Sequence, residues 1–195
     1  METRTRIVLL MHPKEYRHQK CTTGRLLCLH LENSEIIPGV CFDNNGRVRQ
    51  LIEDPANCPV LLYPGKDALS VRDIFAAGPL GRRLVVFLID GTWQCARRIV
   101  RESPFLLRLP RLMIQPESPS RFTIKRQPAP WCLSTLEAAH ELLLRLEAEQ
   151  MDVYPDRDRL LAAFTAMQDF QIQQTARAAA RVTHRVRGIR ERLVT

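Results

Sequence analysis

Leu84-Val-Val-Phe-Leu-Ile89, followed by Asp90-Gly91-Thr92-Trp93, is the stretch that decides how the rest of the chain is read. Six consecutive apolar residues bounded by a turn pair make a strand buried on both faces, and such strands belong to parallel sheets. Thr92 then stands as the N-cap of a helix running to about Glu102, where Ser103-Pro104 stops it.

The pattern repeats on both sides. Upstream, Arg6 to Met11 is a short apolar run ending at His12-Pro13, followed by a polar loop to Thr23-Gly24. Arg25 to Leu31 is compatible with a helix, and Glu35 to Ile37 with a second strand cut off by Pro38. Asn44-Asn45-Gly46 is a turn signal, and Val48, Leu51 and Ile52 have helical spacing before Pro55. Pro59 to Tyr63 reads as a third strand, closed by Pro64-Gly65. Downstream, Arg111 to Ile114 is a fifth short strand, and residues 118–130 form a loop rich in proline and arginine. Ser134-Thr-Leu-Glu137 has the capping-box form and opens an amphipathic helix to about Gln150. Strands alternating with helices predict an α/β fold: a mainly parallel sheet flanked by helices.

Beyond Tyr154-Pro155 the composition changes. Leu160, Leu161, Phe164, Met167 and Phe170 keep a helical stripe, and residues 177–192 then hold six arginines against one glutamate. Arg177, Arg181 and Arg185 recur every four residues, which places them on one helix face. The expected organisation is a catalytic domain over 1–152 and a helical, arginine-rich C-terminal extension over 153–195.

The 195 residues carry a formal charge of +8 and a pI near 9.6, with arginine supplying most of the excess. Guanidinium groups suit phosphates and bases, so nucleic acid is one natural partner. A merely basic protein is the other reading, since net charge speaks to association and not to fold. No apolar run has the length of a secretory core or a membrane span, so a cytoplasmic protein with no membrane partner is expected. The six cysteines stand singly with no CxxC pair, so neither a metal site nor a disulfide framework is expected. No sequence feature fixes an oligomeric state, and a monomer is the working expectation.

In an open parallel sheet, ligands bind beyond the carboxyl ends of the strands. Three loops qualify: Tyr63-Pro64-Gly65, Asp90-Gly91-Thr92-Trp93 and Cys132-Leu133-Ser134-Thr135. Asp90 follows six apolar residues, a costly place for a carboxylate unless it is hydrogen-bonded or has chemical work to do. Asp-Gly is equally a common turn, and both readings stand on these residues alone. Trp93 is read as core packing beneath the turn, and His12 as structural. Ser120 to Pro128 interleaves cations with an aromatic, as does a loop meeting single-stranded RNA, and a solvated surface loop has the same look.

Taken together, Asp90-Gly-Thr-Trp93 with Ala96-Arg97 and Ser103-Pro104, Ser120-x-Phe122-x-x-x-Arg126-Gln127-Pro128, and Leu133-Ser-Thr-Leu-Glu-Ala138 resemble the DTW-domain family. Leu10-Met-His-Pro-x-Glu15, Thr23-Gly-Arg-Leu26 and Tyr63-Pro64 with Asp67-Ala68 extend the resemblance upstream, in family order from about residue 6 to about residue 145. Two departures stand out. Family members commonly carry a cysteine-rich, metal-binding segment before the first strand, which this sequence lacks, and Thr22 replaces a usual asparagine.

The resemblance implies a SPOUT-like, trefoil-knotted domain that uses S-adenosylmethionine to modify tRNA. The implied reaction transfers the 3-amino-3-carboxypropyl group to N3 of a uridine and releases methylthioadenosine. Asp90 is then the expected general base for the N3 proton. Tyr63, Pro64, Gly65, Gly91, Thr92, Leu133, Ser134 and Thr135 are expected to hold the cofactor, with the Ser134 or Thr135 hydroxyl free to reach its methionine end. Arg25, Arg97, Arg121, Arg126, Arg177, Arg181 and Arg185 are the expected RNA contacts, and the tail would take over the grip of the cysteine-rich segment. A SPOUT-type RNA methyltransferase and an RNA-binding protein without activity are the competing readings.

Overall fold

In a computed structural model the chain is described over residues 1–19, 21–76, 81–125, 127–129 and 131–192. The strands β1 (Arg6–Met11), β2 (Ser34–Pro38), β3 (Asn57–Leu62), β4 (Arg83–Asp90) and β5 (Arg111–Leu112) form one sheet. Its order is β2-β1-β4-β3-β5, and every neighbouring pair is parallel. The expected α/β architecture is therefore present, with helices on both faces.

Strand alternation explains why β1 from Ile7 to Met11 and β4 from Leu84 to Ile89 carry no polar residue. Ile7 and Leu9 of β1, with Val86 and Leu88 of β4, face one layer. Val8 and Leu10, with Val85 and Phe87, face the other. With layers on both sides, neither parity of the strand meets water. The first layer contains α2 (Thr23–His30), α4 (Val71–Ala76), α6 (Thr135–Ala148) and the start of α7 (Arg157–Arg192). The second contains α3 (Gly46–Glu53) and α5 (Trp93–Glu102), which contribute Val48, Leu51 and Ile99. No helix among the described residues is long and apolar enough to cross a membrane.

Several elements differ from the sequence reading. The expected loop after β1 contains a short helix, α1 (Pro13–His18), started by Pro13 and capped by His12, whose Nδ1 accepts from the Lys14 amide at 3.2 Å. β5 is only two residues long, and on the side away from β3 its Arg111 carbonyl and the following Met113 amide bond Leu69 in an isolated parallel bridge. The capping box on α6 is formed in full, Ser134 and Glu137 each accepting from the other's backbone.

The C-terminal helix is part of the core at its start. Leu160, Phe164 and Met167 are buried in the same cluster as β1 and α6. Asp152, just before it, accepts the amides of Arg4, Thr5 and Val153 at 2.7–2.8 Å, joining the entry to β1 to the end of α6.

Candidate functional site

The carboxyl ends of β3 and β4 open into a cleft of about 780 Å³. Its walls come from the ends of β3 and β4, residues 112–116, residues 131–135, and the first turns of α1 and α2. Leu62, Leu88, Leu112 and Ile114 make much of the lining apolar. Parallel strands force this arrangement, since all their carboxyl ends lie on one edge and helices start there.

Asp90 is at the floor, where β4 ends beside Met11 of β1. It is 5% exposed. Thr135, at the start of α6, donates its hydroxyl to Asp90 Oδ1 at 2.5 Å. The other carboxylate oxygen faces Gly24, where an added Cβ would collide with it and lie 2.8 Å from Asp90 Cγ. Only glycine lets the first turn of α2 approach so closely. Burial pushes the Asp90 carboxyl above the usual carboxylate range, and Glu15 adds to this, while the Thr135 hydrogen bond and Lys125 oppose it.

The turn itself is held from three sides. Thr92 caps α5, its hydroxyl accepting from the Cys95 amide at 3.3 Å. The Asp90 carbonyl accepts the His12 amide at 3.0 Å. A Cβ on Gly91 would approach Cys95 Cβ to 3.0 Å. His12 is nearly buried, and burial, aided by Arg98, holds its ring below the ordinary histidine range. The ring therefore caps α1 in its neutral form.

Of the residues expected at a cofactor, Tyr63, Pro64, Gly91, Thr92, Leu133, Ser134 and Thr135 border the cleft. Gly65 does not. A Cβ there would meet the guanidinium of Arg111, whose partner is Asp67, so Gly65 supports the loop from behind. Neither hydroxyl expected to be free is free: Ser134 is engaged in the capping box and Thr135 in its bond to Asp90. Trp93 corrects the sequence reading, since it is 37% exposed and borders the cleft instead of packing beneath the turn.

The expected RNA contacts are dispersed. Arg25 lies over the Tyr16 ring at 4.7 Å and donates to the Tyr16 carbonyl at 2.6 Å. Arg97 is exposed on α5 and Arg177 on α7. Arg121 is exposed beside the cleft on a backbone held by Glu137 and Gln168. Arg126 lies outside the described residues, as do the side chains of Arg181 and Arg185, whose backbone continues α7.

Three groups at the cleft were not among the expected site residues, although Glu15 and Lys125 stand in stretches the sequence singled out. Glu15 is buried at its edge, Lys125 reaches it from the 118–130 loop, and Trp131 stands at its mouth, 68% exposed. A glutamate in the first turn of a six-residue helix carries no periodic signal, and only the fold brings it to Asp90. Among the described residues, no group of three or more potential side-chain metal ligands comes together.

A family model for the DTW domain matches residues 1–172. The chain is 33% identical over 155 residues to tRNA-uridine aminocarboxypropyltransferase 2 of Drosophila melanogaster, covering 74% of this chain and 57% of that protein. It is 28% identical over 178 residues to the protein of the same name from Mus musculus, covering 90% and 58%. The chain thus spans less than three-fifths of the length of these relatives. No solved structure matches it.

Proposed function

Since the chain belongs to the DTW-domain family, we propose that it transfers the 3-amino-3-carboxypropyl group of S-adenosylmethionine to N3 of a uridine in tRNA. The single observation that carries this reading is Asp90, a buried carboxylate on the rigid end of β4, fixed by Thr135 at the floor of an apolar cleft.

The cleft fits the donor. Its volume and apolar walls suit an adenosine, and the two carboxylates, Asp90 and Glu15, on its lining suit a donor with cationic groups. S-adenosylmethionine supplies an activated methylene beside its sulfonium. The uridine N3 forms the new bond to that methylene, the carbon–sulfur bond breaks with its electron pair on sulfur, and methylthioadenosine leaves. Asp90 takes the N3 proton. A carboxylate whose basicity is raised by burial is better matched to this task than an exposed one. The rigid strand end contributes by holding reactants in line, which avoids reorganisation during the reaction. Trp93 and Trp131 offer flat apolar faces at the mouth for a base turned out of its stack.

The knotted, SPOUT-like arrangement belongs to the same proposal. It is supported by the sheet order and by the return of the chain from β5, at the sheet edge, to β4 at its centre, where Thr135 meets Asp90. The arginine-rich part of α7 is proposed to contact tRNA phosphates.

Incubation with unmodified tRNA and S-adenosylmethionine, followed by mass analysis of the nucleosides, tests the function. The expected product is a uridine enlarged by an aminocarboxypropyl group, formed far more slowly with Asp90→Asn. A methylated uridine would instead establish the methyltransferase reading, and unchanged nucleosides with several tRNAs would favour the inactive RNA-binding protein.

A further inference from the structure

Asp90, Glu15 and Lys125 are the only charged side chains bordering the cleft among the described residues. Asp90 has a protein partner, the Thr135 hydroxyl. Glu15 has no hydrogen-bond or ion-pair partner among the described residues: the residue as a whole is 4% exposed, and it borders the cleft. A carboxylate that faces an apolar cleft without a protein partner has a cationic ligand group as its natural complement. The position is set by the fold. Glu15 lies in the first turn of α1, with its Cγ 3.8 Å from where a Gly91 Cβ would stand, so it meets the same turn that carries Asp90.

Lys125 supplies the opposite sign. Its ammonium lies 5.7 Å from the Phe122 ring centroid, forms no ion pair with a described residue, and its charge acts on Asp90. An anion entering the cleft would find Lys125, and a cation would find Glu15.

The transferred group has one charge of each sign on a single carbon. We propose that Glu15 binds the α-ammonium and Lys125 the α-carboxylate of the aminocarboxypropyl arm, which makes this pair the determinant that holds the arm in the cleft. The inference rests on the proposed donor and deepens it. Two opposite anchors fix the arm at its far end, so its methylene, next to the sulfonium, is directed by the protein. A donor bound through adenosine alone would leave the arm free in solvent. Asp90 is then reserved for the acceptor proton, because the ammonium has its own carboxylate.

Calorimetric titration of the full chain with S-adenosylhomocysteine and with methylthioadenosine tests this. Both ligands have a neutral sulfur, and only the first has the arm. The wild type is expected to bind S-adenosylhomocysteine more tightly. Glu15→Gln and Lys125→Ala should each weaken it by about tenfold or more, the scale of a lost charge-assisted hydrogen bond, while leaving methylthioadenosine unaltered. Lys125 is exposed, so its variant gives an answer even if Glu15→Gln does not fold. Wild-type affinity for S-adenosylhomocysteine in the Lys125 variant or in a folded Glu15 variant overturns the inference, as does an equal loss for both ligands. So does a wild type that binds both ligands equally. A wild type that binds neither overturns the proposed donor as well.

Discussion

The Thr135 hydroxyl donates to the Asp90 carboxylate at 2.5 Å and ties the start of α6 to the end of β4 across 45 positions of sequence. This hydrogen bond acts against burial on Asp90, so the two residues set together how basic the carboxylate is.

Asp90→Asn should slow transfer severely and stabilise the fold at neutral pH. The folded-state pKa of Asp90 is raised, so the native state binds its proton more tightly than the unfolded chain does. Ionised Asp90 therefore costs stability, and the cost appears as pH rises from the ordinary carboxylate range through the raised value. Asparagine removes it while still accepting from Thr135. Thermal melts should show a higher midpoint than wild type at neutral pH, by about 2–4 °C for each kcal/mol recovered, converging towards about pH 4. The rate should fall by about 10²–10⁴-fold. A lower midpoint at neutral pH would contradict this account of the site.

Thr135→Val keeps the shape and removes the donor. The Asp90 pKa should rise further, so the acid limb of the kcat/KM profile should move to higher pH. Activity lost at neutral pH should return as pH increases. An unmoved limb would separate Thr135 from the ionisation of Asp90.

Gly24→Ala places a methyl against the Asp90 carboxylate. The expected loss is about 10²-fold in kcat/KM, the scale of an ångström misplacement of a catalytic group. Gly46→Ala is the control, because a Cβ there meets nothing within 4 Å, and it should leave the rate unchanged.

Asp152→Ala orphans three backbone amides, two of them at the entry to β1. Denaturant unfolding should show a loss of about 1–3 kcal/mol. Ligand affinity in the distant cleft should survive.

Replacing Arg177, Arg181 and Arg185 together by alanine should weaken tRNA binding and reduce its salt slope by about 0.7–0.9 for each phosphate no longer neutralised. An unchanged slope would mark that helix face as merely solvated.

What the sequence makes legible is what local chemistry determines. The apolar run of β4 and the capping box of α6 each have a strong short-range signal, and both elements form where that signal places them. The two ends that meet at Asp90 are therefore visible in the sequence, but their meeting is not, because it depends on the crossover from β5 back to the sheet centre. α1 escapes a sequence reading because six residues give no helical period. β5 is shorter than its apolar run because β3 pairs with it only at Arg111 and Leu112, and how far a neighbouring strand reaches is not written in the run itself. A lone tryptophan such as Trp93 usually packs in a core, and the capped first turn of α5 directs it to the cleft instead. Gly65 and Arg25 have suitable positions in the chain, yet Arg111 and Tyr16 respectively occupy them.

The most direct measurement identifies the nucleoside released from S-adenosylmethionine when the protein is incubated with unmodified tRNA. The account predicts methylthioadenosine, formed in proportion to modified uridine and far more slowly with Asp90→Asn. S-adenosylhomocysteine as the product would contradict it, because the methyl would then have been transferred and the arm retained.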